Sequence, residues 1–266
     1  MDSIMVDIVV VVLLVLGAIL HGVTGLGFPM VSTMSVAIIF PLPVAIVLVT
    51  FPNVVINLMV LAPGKRGRAR QGILFFIGKY RLMILSSFVG CIAGVLLLKT
   101  LPMGWMYLLL SIATLFYVFY TFFNRKISLT RDKKSHGQLK HNGLKMVFFG
   151  GLAGVVGGAT NAMSSIMMMY LLAASDNKNE IVKTSNFCFL LAKIVQIVML
   201  KDELTALDGK ALWALPLVTM LSTAALFVGI VVRDRISIII FKRMVLIMLL
   251  TLSARAAWNA VLLLLL

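Results

Sequence analysis

Three basic side chains interrupt runs that are otherwise apolar: His21 at the start of HGVTGLGFP, Lys193 inside FLLAKIVQIV and Arg255 inside LSARAAWNA. A charge at the centre of a bilayer costs about 2.5–3.5 kcal/mol on insertion scales, so such a residue faces a cavity or a partner. Lys193, with Gln196 one helical turn on, either lines a substrate path or satisfies itself by snorkelling or on a backbone carbonyl. Arg255 lies near Trp258 and Asn259 and either snorkels to the outer interface or serves a site. His21 suits a hydrogen-bonded packing role or a proton-linked one. Small hydroxyl and amide residues collect at two Gly-rich stretches, Thr24, Ser32, Thr33 and Ser35 at the first and Thr160, Asn161, Ser164 and Ser165 at the second. Singly they permit close helix packing; as two clusters they would surround a small anion with hydrogen-bond donors. Lys183, Thr184, Ser185 and Asn186 form a further polar group that lines an access path or a solvated hairpin end.

The acids set the sign of the substrate. Asp2, Asp7, Asp132, Asp176, Glu180, Asp202, Glu203, Asp208 and Asp234 fall at a chain end, in loops or at a turn, and none is mid-span. A cation carrier commonly needs a buried carboxylate, so this placement favours an anion. HGVTGLGFP lacks the Gly-Lys-Ser/Thr of a phosphate loop and no strand precedes it. Neither HExxH nor a metal-spaced histidine pair occurs, and Cys91 and Cys188 stand alone in apolar stretches. No metal, cofactor or catalytic constellation is expected, so the chain reads as a non-enzyme.

What positions these residues is a membrane. The chain has 266 residues, of which 61% are hydrophobic and 12% charged, with a mean hydropathy of +1.09. Soluble domains carry about 25% charged residues, so the solvent here must be lipid. The formal charge of +15 would suit nucleic acid, but the basic residues sit in three short gaps between apolar runs, near 62–81, 124–145 and 233–243. That is the positive-inside pattern of cytoplasmic loops. Nucleic acid is thereby excluded as a partner; a small anion and the bilayer are expected, and a homodimer is left open. The first apolar run begins without a basic lead-in and reads as a retained membrane segment.

A crossing helix needs about 20 apolar residues. Full-length candidates are 4–27, 82–99, 104–123, 144–159, 211–232 and 244–266, while 28–61 and 160–200 are interrupted and read as two crossings or one re-entrant hairpin each. Keeping the basic loops inside and the acidic 201–210 segment outside requires an odd number of crossings in each half. The halves then have opposite orientations. Gly22, Gly25 and Ser32 fall on Gly154, Gly157 and Ser164 at an offset of 132. The reading is an all-α polytopic membrane protein of two inverted repeats, each with full helices plus a broken or re-entrant hairpin. The first repeat spans 1–123, a basic cytoplasmic linker 124–143 and the second repeat 144–266. Gly- and Pro-interrupted helices at matching places mark secondary transporters, and irregular backbone at that depth must lie inside the protein. Helix N-termini following the breaks would direct N–H groups and positive dipole ends at the centre.

Gly22, Gly25, Gly27 and Pro29 followed by PLPVAIVLVT, and GGLAGVVGGATNAMSS followed by KNEIVKTSNF, resemble the two copies of the TauE/SafE sulfite-exporter family across essentially the whole chain. The resemblance implies a multi-pass transporter of the plasma or inner membrane that exports small sulfur-containing anions such as sulfite or organosulfonates, without a cofactor. It also implies substrate contacts at Gly25, Gly27, Phe28 and Pro29, at Gly157, Gly158, Thr160 and Asn161, and along Lys183, Ser185 and Asn186. Phe28 and the run Ala159–Thr160–Asn161 replace glycines of the family pattern, a departure that leaves room for a substrate other than sulfite. With Thr24, Ser32, Ser164, Lys193 and a proton-linked His21 these complete the expected site. An anion channel and a carrier of small carboxylates are the rival readings.

Overall fold

In a computed structural model the described residues are 3–24, 27–62, 75–130, 143–175, 177–205, 209–232 and 238–265. Among them no strand occurs and eleven helices do: α1 Ser3–Thr24, α2 Phe28–Val36, α3 Leu42–Leu61, α4 Arg81–Thr100, α5 Met103–Thr130, α6 Gly143–Thr160, α7 Met163–Ala174, α8 Lys178–Met199, α9 Lys201–Thr205, α10 Gly209–Val232 and α11 Ile238–Leu265. A helical turn over 75–79 precedes Tyr80 and α4. Five stretches are long and apolar enough to cross a membrane: Leu42–Leu61, Arg81–Thr100, Gly143–Thr160, Glu180–Met199 and Leu215–Val232. The chain is therefore a polytopic helical membrane protein, as its composition requires.

Two left-handed residues interrupt the helices. Gly27 has φ +102° between α1 and α2, and Asn161 has φ +62° between α6 and α7; no other described residue has positive φ. Glycine adopts this conformation without a Cβ penalty and asparagine tolerates it better than other residues do. Pro29 then sits in the first turn of α2, where a missing N–H costs nothing.

Glycines on facing helices settle the packing. A Cβ on Gly94 of α4 would stand 2.1 Å from the Val155 carbonyl oxygen, one on Gly158 of α6 would stand 2.3 Å from that of Cys91, and one on Gly154 would stand 2.2 Å from that of Ser87. Residue numbers rise together along the contact, so α4 and α6 run parallel at backbone contact. The same holds for α1 and α10, where Ala18 packs on Ala225 and Gly22 meets Leu226, Gly229 and Ile230. In contrast, α5 and α11 are antiparallel, with Gly104 beside Leu264 and the Ser111 hydroxyl donating to the Ser253 carbonyl at 3.1 Å.

The second broken region is a hairpin. Gly143, which opens α6, lies beside Leu82 at the start of α4. Ser175, which follows α7, bonds Glu180, which in turn bonds Tyr80. Both ends of α6–α7 thus lie at one end of the bundle, and α8 makes the crossing. This hairpin occupies 143–174, earlier than the 160–200 read from sequence, because the chain reverses at Asn161 itself. Helix contacts keep their pattern when the halves are exchanged. The α1–α10 pairing corresponds to α6–α4, while α3–α8 and α5–α11 each map onto themselves. Every residue of the nine-residue α2 is buried, so its polar side chains face protein only.

Candidate functional site

One arc of α8 carries Asn186, Phe189, Lys193 and Gln196, at intervals of three and four residues. All four are buried, Lys193 at 2% exposure and Gln196 at 1%. Lys193 does not snorkel. Its ammonium donates to Asn161 Oδ1 and, at 2.6 Å, to Gln196 Oε1. Gln196 Nε2 donates to the same Asn161 oxygen at 2.8 Å and to the Gly158 carbonyl at 3.2 Å. Asn161 Nδ2 reaches across to Thr33 Oγ1 at 2.7 Å, and Thr33 donates to the Pro29 carbonyl at 2.8 Å. The left-handed backbone of Asn161 is what turns its side chain from the end of α6 into this junction of α2 and α8.

The electrostatics of the junction are unbalanced. Both acceptors of Lys193 are neutral amides, and the ion pairs among the described residues are elsewhere, at Lys79–Glu180 and Lys99–Asp202. A buried charge is expensive unless paired. The ammonium is held by two carbonyl oxygens and keeps one of its three donors uncommitted.

A second polar contact lies nearer the turn between α1 and α2. The Phe28 N–H donates to His21 Nδ1 at 3.4 Å, so the ring proton is on Nε2, which lies 3.2 Å from Asn186 Oδ1. Asn186 Nδ2 donates to the Val182 carbonyl at 2.7 Å, which fixes the amide orientation. This network assigns His21 the neutral tautomer with a donor on Nε2.

Other expected residues divide. Gly27, Phe28 and Pro29 are buried at the first turn, and Gly157 and Gly158 at the end of α6. Ser32, Ser35 and Thr160 spend their hydroxyls within their own helices, on Phe28, Val31 and Val156 carbonyls at 2.6–2.7 Å. Their role is local, as expected of hydroxyls that bond back one turn. Ser164, Thr184 and Ser185 are buried with hydroxyls that have no partner. Lys183 is half-buried, ten residues before Lys193 and so about 15 Å away along α8. Gly25 and the side chains of Thr24 and Ser165 lie outside the described residues. Arg255 is exposed and donates to the Ile38 carbonyl at 3.4 Å, beyond the end of α2, in a hollow shared with Tyr107 and Asn259.

Two features escaped the sequence reading. Glu180, in the first turn of α8, is buried at 6% exposure. It accepts from Lys79, from the Tyr80 hydroxyl at 2.7 Å and from Ser175 at 3.0 Å. Burial, and then the carboxylate beside it, push the Tyr80 phenol well above its ordinary value, so it remains a donor. The other feature is a pair of fully buried asparagines on α3, Asn53 and Asn57. Two amides four residues apart in an apolar run beside Pro52 were the available signal.

Comparison with curated proteins and with solved structures returned no match. From residue 9 to residue 256 the chain is matched by the family model described as sulfite exporter TauE/SafE, and it belongs to that family.

Proposed function

We propose that this protein is a secondary transporter that exports a small sulfur-containing anion, sulfite or an organosulfonate, across the cell membrane, and that Lys193 holds the anionic group. The observation that carries this reading is the buried Lys193 ammonium between two neutral amides, with no carboxylate to balance it. Asn161, Gln196 and Thr33 orient it and supply further donors once an anion displaces their mutual bonds. Lys193, Asn161, Gln196 and Thr33 are each at most 3% exposed, the condition of an occluded carrier rather than an open pore. Opposed hairpins in oppositely oriented halves would let the site face each side in turn, as in other inverted-repeat carriers. His21, joined to α8 through Asn186, would couple protonation to that motion.

The test is thermal unfolding of the purified protein with sulfite, short alkanesulfonates, carboxylates, chloride, Na⁺ and K⁺. A ligand that binds only the folded state stabilises it by about 2.7 kcal/mol at a hundredfold excess over Kd. Stabilisation by sulfite or sulfonates that disappears in Lys193→Met, together with loss of flux in proteoliposomes, is expected. A response to cations alone, or one that Lys193→Met leaves unchanged, overturns the reading.

A further inference from the structure

Asn53 and Asn57 stand one turn apart on α3, both fully buried. Neither the Asn53 oxygen nor either end of the Asn57 amide has a partner. Asn53 is anchored: its Nδ2 donates to the Val49 carbonyl at 2.6 Å, which leaves Oδ1 as the end turned away. Pro52, inside the same helix, has no N–H, so the Leu48 carbonyl one turn back loses its usual donor. Each unmet buried polar group costs on the order of 1–3 kcal/mol, and here they are concentrated on two turns of one helix.

Two contacts place these atoms beside the anion site. Thr50 and Phe51 line a common hollow with Gln196 and Leu200. Further along α3, Ile56 shares one buried cluster with Phe28, whose N–H leads through His21 to Asn186. Helix α3 therefore runs antiparallel to α8, and Asn53 and Asn57 lie at levels between the Lys193 cluster and Asn186. The chemistry on offer there differs from that at Lys193. Asn53 Oδ1 accepts only, and would repel an oxyanion; Asn57 both donates and accepts. A group that gives one hydrogen bond and takes another satisfies both. A second ammonium is disfavoured by the nearby lysine and by the absence of acids from this stretch.

We propose that Asn53 and Asn57 form a second subsite that receives the hydroxyl group of a short hydroxyalkanesulfonate whose sulfonate lies at Lys193. This rests on the reading of Lys193 as the anion site. The substrate it selects carries its hydroxyl a few bonds from sulfur, and a plain sulfonate leaves the amides unsatisfied.

The experiment compares ethanesulfonate, 2-hydroxyethanesulfonate and 2-aminoethanesulfonate by thermal shift and calorimetry on the purified full chain. In the unmodified protein the hydroxy compound should bind at least tenfold tighter than ethanesulfonate. In Asn53→Leu and Asn57→Leu that preference should vanish while ethanesulfonate binding persists. The ligand-free variants should unfold at the same or a higher temperature, because unmet polar atoms are replaced by apolar ones of similar size. Equal binding of the three sulfonates by the unmodified protein overturns the subsite and leaves the anion site standing. So does a hydroxyl preference that survives both substitutions. Preference for the amino compound overturns the assignment of a hydroxyl. Failure of all three sulfonates to bind while sulfite still does overturns this proposal alone, and failure of sulfite as well overturns the Lys193 reading with it. Should the leucine variants not fold, Asn57→Asp keeps the shape and should invert the preference toward the amino compound.

Discussion

The turns α1–α2 and α6–α7 occupy equivalent places in the two halves and solve the same backbone problem with different residues. At the first, Gly27 turns the chain and contributes no side chain, while Phe28 joins a buried apolar cluster with Ala18, Ile56, Ala225 and Leu226. At the second, Asn161 turns the chain and places one amide in contact with Lys193, Gln196 and Thr33. The second is tied at its base by an ion pair, through Glu180 to Lys79 and Tyr80, whereas just beyond the first the contact is Arg255 on the Ile38 carbonyl. The scaffold is symmetric and the chemistry is not. One turn supplies shape, and the other supplies the polar junction.

Substitutions at the two turns should break this comparison unequally. Asn161→Ala should have the largest effect: it strains the backbone and strips the buried lysine of an acceptor. Breaking one side of a buried charged contact costs about 3–5 kcal/mol, so flux should vanish and chemical unfolding should show a loss of that order. Asn161→Gly separates the two causes, since it relieves the strain yet should still abolish flux. Gly27→Ala should cost less, about 1–2 kcal/mol for a left-handed alanine, because the Leu20 side chain 3.3 Å from the new Cβ can move. Its flux should fall only as far as the amount of folded protein, and Gly27→Asn should recover most of it.

Glu180→Gln keeps acceptors for Tyr80 and Ser175 but removes the charge that holds Lys79. A loss of about 1.5–3 kcal/mol is expected, the range for hydrogen bonds to charged groups, together with faster labelling of a cysteine placed at Ser175. Unchanged labelling would show that the second hairpin needs no tie at its base. Lys99→Ala, at the far ends of α4 and α8, should be the smallest change, below about 0.5 kcal/mol. Its contact with Asp202 is long, at 3.6 Å, and solvent-exposed.

Much of the fold was legible because lipid leaves so few options. Apolar runs had to be helices, and the observed spans at Arg81–Thr100 and Gly143–Thr160 differ by a residue at each end from those read off the sequence. The breaks were legible from Gly27, Pro29 and the glycines before Asn161. Lys193 and Gln196 stood out because charge and amide are costly at that depth. Glu180 did not, since a polar turn that is buried and one that is solvated use the same residues. Asn53 and Asn57 were hidden for a related reason: an uncharged amide in an apolar helix is cheap enough to pass as packing, and only its missing partners give it away. Nor could hydropathy tell which end α7 returns to, which depends on the distant contact between Tyr80 and Glu180.

The glycine contacts bear on how such a molecule can move. Helix α1 is pressed against α10 and α6 against α4, so the first arm of each hairpin is joined, backbone to backbone, to a helix from the other end of the chain. Interlocked surfaces this close cannot slide without lifting apart. A motion that parted the molecule at the boundary between its two halves would have to open both seams at once. The closest backbone seams therefore cross that boundary, joining α1 to α10 and α6 to α4.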